Sequence, residues 1–133
     1  MAERADIQKV IHDAYAARRL GDVDAVLAFF SDNPAFVVAG SSAASPIPCR
    51  CDCSNTLRDA LDQLIGAFDF VDQDIHTILV DGDSAAVHWR ARVRSTRTGE
   101  EAETEVVDLI TVRDGKIASF TQFCDTALAA RLL

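Results

Sequence analysis

Asp108 stands in the run Val106-Val107-Asp108-Leu109-Ile110, a carboxyl group with aliphatic neighbours on either side. A strand sends alternate residues to opposite faces, so one of the two apolar faces of this segment must carry the acid. Burying an unpaired carboxylate costs enough that the group shifts its pKa, finds a partner, or does both. A carboxyl group lifted toward neutrality can give and take a proton near physiological pH, which is the work of a general acid or base.

The other reactive side chains offer less. Cys49, Cys51 and Cys53 crowd alternate positions, whereas zinc sites set a C-x-x-C pair against a second pair or histidines, and no such partner set follows. They read as reduced loop thiols. His12, His76 and His88 lack metal-ligand spacing, and neither a nucleophile elbow nor a glycine-rich phosphate loop occurs. No metal and no cofactor is expected.

A chain of 133 residues, 49% apolar and 26% charged, has the make-up of an ordinary globule and sets the expectation of one domain over 1–133. Its net charge of −8 argues against nucleic acid or an anionic membrane as partner. No apolar run approaches the ~20 residues of a membrane-spanning helix. The opening MAERADIQKV is charged rather than signal-like, so the expected location is cytoplasmic.

Three helices should position the site from one side. Residues 4 to 19 bring Ile7, Val10, Ile11, Ala14, Tyr15 and Arg18 onto one face. Gly21 stops that helix and Asp22 caps a shorter one, with Val23, Val26, Leu27 and Phe30 at helical spacing and Asn33-Pro34 as its end. Ala35 to Ala39 reads as a short strand, and Gly40 to Asn55 as an irregular Ser- and Pro-rich loop. Ser54 or Asn55 then caps a third helix with Leu57, Leu61, Leu64, Ile65 and Phe68 along its stripe.

After that the chain turns to β-structure. Segments near 73–80, 84–95, 101–113 and 116–125 are separated by Asp81-Gly82, Thr98-Gly99 and Asp114-Gly115, the pattern of an antiparallel meander. A two-residue loop at Thr98-Gly99 sets Arg94 opposite Glu103, Arg92 opposite Glu105 and Trp89 opposite Asp108. The first two pairs mark the wet face, so Asp108 shares the apolar face with Trp89, Val106 and Ile110. At Asp114-Gly115 two registers remain. A tight loop turns Ile117, Ser119, Thr121 and Phe123 toward Asp108; a three-residue bulged loop turns Phe120, Gln122 and Cys124 there. The outer face carries His88, Arg90, Arg92, Arg94, Glu103, Glu105, Val107 and Leu109, a mixed strip suited to an isologous homodimer.

Three helices before a curved sheet, with GDVDAVLAFFSDNPAFVV early and VVDLITVRDGKIASFTQF late, resemble the nuclear transport factor 2-like superfamily and within it the SnoaL-like, ketosteroid-isomerase-like branch. The resemblance implies an α+β fold, a cone-shaped barrel in which the helices pack on a strongly curved antiparallel sheet around an apolar pocket. It also implies dimers, and functions that include isomerases, polyketide cyclases, epoxide hydrolases and binding domains without catalysis. It favours the bulged last hairpin, and so Phe120, Gln122 and Cys124 in the pocket. Asp108 falls where the isomerases keep a protonated aspartic acid, which stays neutral in its apolar site and donates a hydrogen bond to a developing oxyanion. Their pocket tyrosine falls on Ala14, one place before Tyr15, and their catalytic base on Val38, which cannot move a proton. Steroid isomerisation by that machinery is therefore not expected, and a cyclase-like use of Asp108 fits better. The expectation is a small apolar ligand worked on by Asp108 without a cofactor. Tyr15 and Gln122 orient it, and Trp89, Val106, Phe120, Cys124 and Val38 form the walls. The alternative is a ligand-binding or dimerisation domain of the same fold.

Overall fold

Residues 3–133 are described by a computed structural model. Helix α1 (Arg4–Leu20) forms because Ile7, Ile11, Ala14 and Tyr15 recur at three and four and are all buried. It ends at Gly21, whose left-handed φ of 76° lets its N–H close back onto the last turn. The Asp22 side chain accepts from Ala25 N at 3.1 Å and starts α2 (Val23–Leu27). Helix α3 (Ser54–Ala67) buries Leu57, Leu61 and Ile65 on one stripe. Each fully buried aliphatic side chain on these stripes, Ile11 and Leu57 among them, contributes about 1.5–3 kcal/mol relative to exposure.

Six strands make one sheet in the order β2-β1-β6-β5-β4-β3. They are β1 (Phe30–Val38), β2 (Cys49–Cys51), β3 (Phe68–Asp81), β4 (Ser84–Ser95), β5 (Glu101–Arg113) and β6 (Lys116–Phe123). The last four form the expected antiparallel meander, but β1 runs parallel to β6. Bulges at Phe70/Asp72 and Ile75/Thr77 of β3 and near Ala118 of β6 bend the sheet. It curves without closing, with β2 and β3 as free edges. The helices cover the concave face, and the core lies between.

Several details depart from the sequence expectations. The second helix stops at Leu27, and Phe30 to Pro34, read as its end, already belong to β1. Phe30 pairs with Ile117, and that pairing outweighs its helical spacing. The Gly40–Asn55 segment is not wholly irregular, because Cys49–Cys51 form β2 against Phe36–Val38. Neither Ser54 nor Asn55 caps α3: Cys53 holds the cap position, and Ser54 Oγ donates instead to Asp32 O at 2.6 Å. A fourth helix, α4 (Thr126–Leu132), follows β6, with the Asp125 side chain accepting from Leu128 N at 2.9 Å.

Two register findings decide what faces inward. Between β4 and β5, Arg94 pairs with Glu101, Arg92 with Glu103 and Trp89 with Val106, two residues from the expected register. A two-residue type I′ loop needs positive φ at both positions; here only Gly99 adopts it, at 79°, and β-branched Thr98 does not. The loop lengthens and the register slides by two, an even number, so every side chain keeps its expected face. At Asp114-Gly115 both residues have positive φ, 53° and 74°, and Arg113 pairs with Lys116, so the loop is tight after all. The face is then switched inside β6: Val112 pairs with Ile117 but Thr111 with Ser119, leaving Ala118 as the extra residue. Ile117 and Phe120 consequently both point into the core.

Candidate functional site

The concave face encloses a cavity of about 140 Å³. Its floor is the inner face of β1 and β3 to β6, and its roof comes from α1, α3 and α4. A cavity near 150 Å³ lined by apolar side chains admits a benzene ring. Asp108 lines this space and is fully buried, between Val87 on β4 and Gln122 on β6.

The two oxygens of Asp108 are used differently. Oδ2 accepts from Tyr15 Oη and from Trp89 Nε1, the latter at 2.7 Å. Oδ1 is buried and has no hydrogen-bond partner among the described residues. Burial pushes the carboxyl up to about 7, while the donors Tyr15 and Trp89 pull the other way by favouring the charged form. Gln122 lies near enough to act in the same sense without meeting hydrogen-bond geometry to Oδ1. Burial, and then the adjacent carboxylate, lift the Tyr15 hydroxyl well above its usual value, so it stays a neutral donor. Burial likewise pushes the Cys124 thiol up to about 11, keeping it protonated.

The aromatic walls lock this arrangement. Tyr15 meets Trp89 edge to face, with ring centroids 5.5 Å apart at 82°, which orients both donors toward Oδ2. Phe120 stacks on Phe36 at 5.4 Å. Val106, next to Trp89 on the ladder, and Val38, next to Gln122, close the floor, and Cys124 lies at the margin toward α4. The structure thus brings Asp108, Tyr15, Trp89, Val106, Phe120, Gln122, Cys124 and Val38 to one cavity. Trp89, read from sequence as a wall, is also a donor to Asp108.

Sequence reading did not assign Arg18, Gln73 or Thr104 to the cavity, although all three line it. A signal for Arg18 was present, since a basic residue on the apolar stripe of α1 must enter the core side. Gln73 is turned inward by the bulge in β3, which sequence spacing does not reveal. The histidines lie elsewhere: His88 is on the outer face, its Nε2 3.1 Å from Glu105 Oε1. The cysteines are free, and among the described residues no three His, Cys, Asp or Glu side chains are placed to hold a metal.

A family model for the SnoaL-like domain matches residues 11–120. Among solved structures, a candidate isomerase from Bacillus subtilis superposes with a TM-score of 0.88 at 14% identity, over 99% of this chain and 95% of the other. An NTF2-like protein of unknown function from Burkholderia pseudomallei gives 0.81 at 16%, over 99% and 98%. An LEH-like epoxide hydrolase from M. tuberculosis gives 0.75 at 17%, over 96% and 90%. At these identities the likeness is one of fold, the nuclear transport factor 2-like fold. No curated protein matches the sequence.

Proposed function

The chain belongs to the SnoaL-like domain family, and we propose that within it this protein binds a small apolar molecule and moves a proton on it through Asp108, without a cofactor. One observation carries the reading: in a fully buried carboxyl group, one oxygen is held by two donors while the other, in an apolar cavity, has no partner among the described residues. Because Tyr15 and Trp89 occupy Oδ2, the neutral acid carries its proton on Oδ1. As general acid, Asp108 passes that proton from Oδ1 to a basic oxygen of the ligand and is left as a carboxylate. The two donors on Oδ2 stabilise the charge that remains. In the reverse sense, ionised Asp108 accepts a proton at Oδ1 from an acidic C–H or O–H. Cyclase, isomerase and hydrolase chemistry all use such a step.

Trp89 is the single tryptophan of the chain, and its indole N–H is bonded to the acid. Its emission is therefore expected to change with an inflection near pH 7 in the wild type and to lose that inflection in Asp108→Asn. An emission profile that is flat across the neutral range, or one that Asp108→Asn leaves unchanged, contradicts the reading. The second reading, a ligand-binding domain without catalysis, draws support from the scarcity of proton carriers. Of the two carboxyl groups lining the cavity, Asp125 is engaged in capping α4.

Support for a homodimer comes from the outer sheet face. Leu79 and Leu109 lie on one cross-strand row and Val107 and Phe123 on the next, and all four are exposed. The charged cluster around Arg90 borders them. An apolar centre beside a charged rim is the make-up of an isologous interface.

A further inference from the structure

The polar groups of the cavity fall on two levels of the sheet. Asp108 and Gln122 share one cross-strand row, and Gln73, Ala91 and Thr104 share another. Thr104 and Asp108 stand four residues apart on β5, about 13 Å along the strand. Helix α1 serves both levels: Tyr15 reaches Asp108, and Arg18, a turn later, lies with its guanidinium carbon 3.9 Å from the centre of the Phe70 ring.

Arg18 is an unusual cation. It is largely withdrawn from water, and burial lowers it to about 10. Among the described residues no carboxylate comes within ion-pair distance of it. Asp69 acts on it only from farther off and is itself 3.5 Å from Arg94. One nitrogen, Nη2, donates to Phe68 O at 3.0 Å and Leu64 O at 3.4 Å, which tethers Arg18 to the C-terminal end of α3. That structural role leaves Nε and Nη1 without an acceptor among the described residues. A second, independent donor lies on the same cavity: Gln73 Nε2 is buried and has no partner among them either. A buried donor left unmet, as Gln73 Nε2 is, is costly unless something accepts from it, and the spare Arg18 nitrogens are available to the same acceptor.

We propose that Arg18 and Gln73 form an anion subsite at the end of the cavity remote from Asp108, and that the ligand is a one-ring apolar carboxylate. This rests on the proposed role of the cavity and names its substrate class. The planar guanidinium fork and the amide N–H match the two oxygens of a carboxylate. The ring lies against Phe70 and Trp89, and the far end of the molecule reaches Asp108 Oδ1. The cavity volume limits the ring count to about one.

The test compares 3-phenylpropionate with the uncharged 3-phenylpropanol, binding being read by Trp89 emission and calorimetry. Wild type is expected to prefer the acid at least tenfold. Arg18→Met should abolish that preference and Gln73→Leu should cut it several-fold, while Asp108→Asn keeps it. Because Arg18 also holds α3, circular dichroism checks each variant, and Gln73→Leu, which touches no tether, carries the comparison if Arg18→Met does not fold. Equal affinity for acid and alcohol overturns the proposal. So does an acid preference that survives in Gln73→Leu and any folded Arg18→Met, or no binding of the acid at millimolar concentration. Failure of the acid role of Asp108 shows elsewhere, in a pH profile of Trp89 emission indifferent to Asp108→Asn, whatever the acid preference proves to be.

Discussion

At the scale of single residues, the position of Asp108 has a thermodynamic signature. Its native pKa of about 7 lies above the value near 3.8 of an unperturbed aspartate. Between those limits the native state keeps a proton that the unfolded chain has released, so stability falls as pH rises from about 4 to about 7 and levels off above. Asp108→Asn keeps the shape and removes the titration. Relative to wild type it should gain on the order of a few kcal/mol between about pH 4.5 and about pH 8. Urea midpoints at the two pH values measure this, and parallel profiles for the two proteins would count against it. The donors act in the opposite direction. Tyr15→Phe removes one hydrogen bond to Oδ2 and should move the Asp108 pKa further up, costing more stability above neutrality than in mild acid. An unchanged or lowered pKa, read by carboxyl infrared absorption, would show that Tyr15 does not support the charge.

Among elements, what could be read in the sequence depended on whether one local signal decided the outcome. The α1 and α3 stripes and the segments of the meander were legible, because burial enforces periods of about 3.6 and about 2 directly. The facing of Asp108 was legible too, even with the β4–β5 register two residues out, because an even slip preserves the face. Less legible was the bulge at Ala118, a single extra residue without glycine or proline to mark it. Helix α4 was hidden for a related reason: TALAARL is short, and Asp125 as its cap gains meaning only when Leu132 is seen buried beneath. The bulge supplies a test at this scale. Deleting Ala118 should turn either Ile117 or Phe120 and Gln122 to the outer face, abolishing cooperative thermal unfolding or the native Trp89 environment. A deletion variant with wild-type Tm and emission would show that the bulge does not set the inner face.

Over the whole molecule, the two faces of the sheet are assigned opposite tasks. The concave face and its helices enclose the cavity, and the convex face offers Leu79, Val107, Leu109 and Phe123. The resemblance in sequence foresaw the α+β architecture, and strand alternation foresaw which side chains point outward, but neither gave Arg18 as a cavity cation, which required α1, α3 and β3 to be seen together. If the convex face is the dimer interface, sedimentation should give twice the mass of one chain in wild type and a single chain in Leu109→Arg. Trp89 emission should be unaffected. A monomeric wild type, or a Leu109→Arg protein that remains dimeric, would remove that assignment.

Selective ¹³C labelling of aspartate followed by NMR titration of the Asp108 carboxyl carbon, assigned through Asp108→Asn, measures whether the buried acid keeps its proton up to neutral pH. The expected midpoint is about 7. A midpoint near 3.8, the value for an unperturbed aspartate, would mean that Asp108 is an ordinary buried carboxylate, held by its donors and unable to carry a proton at neutral pH.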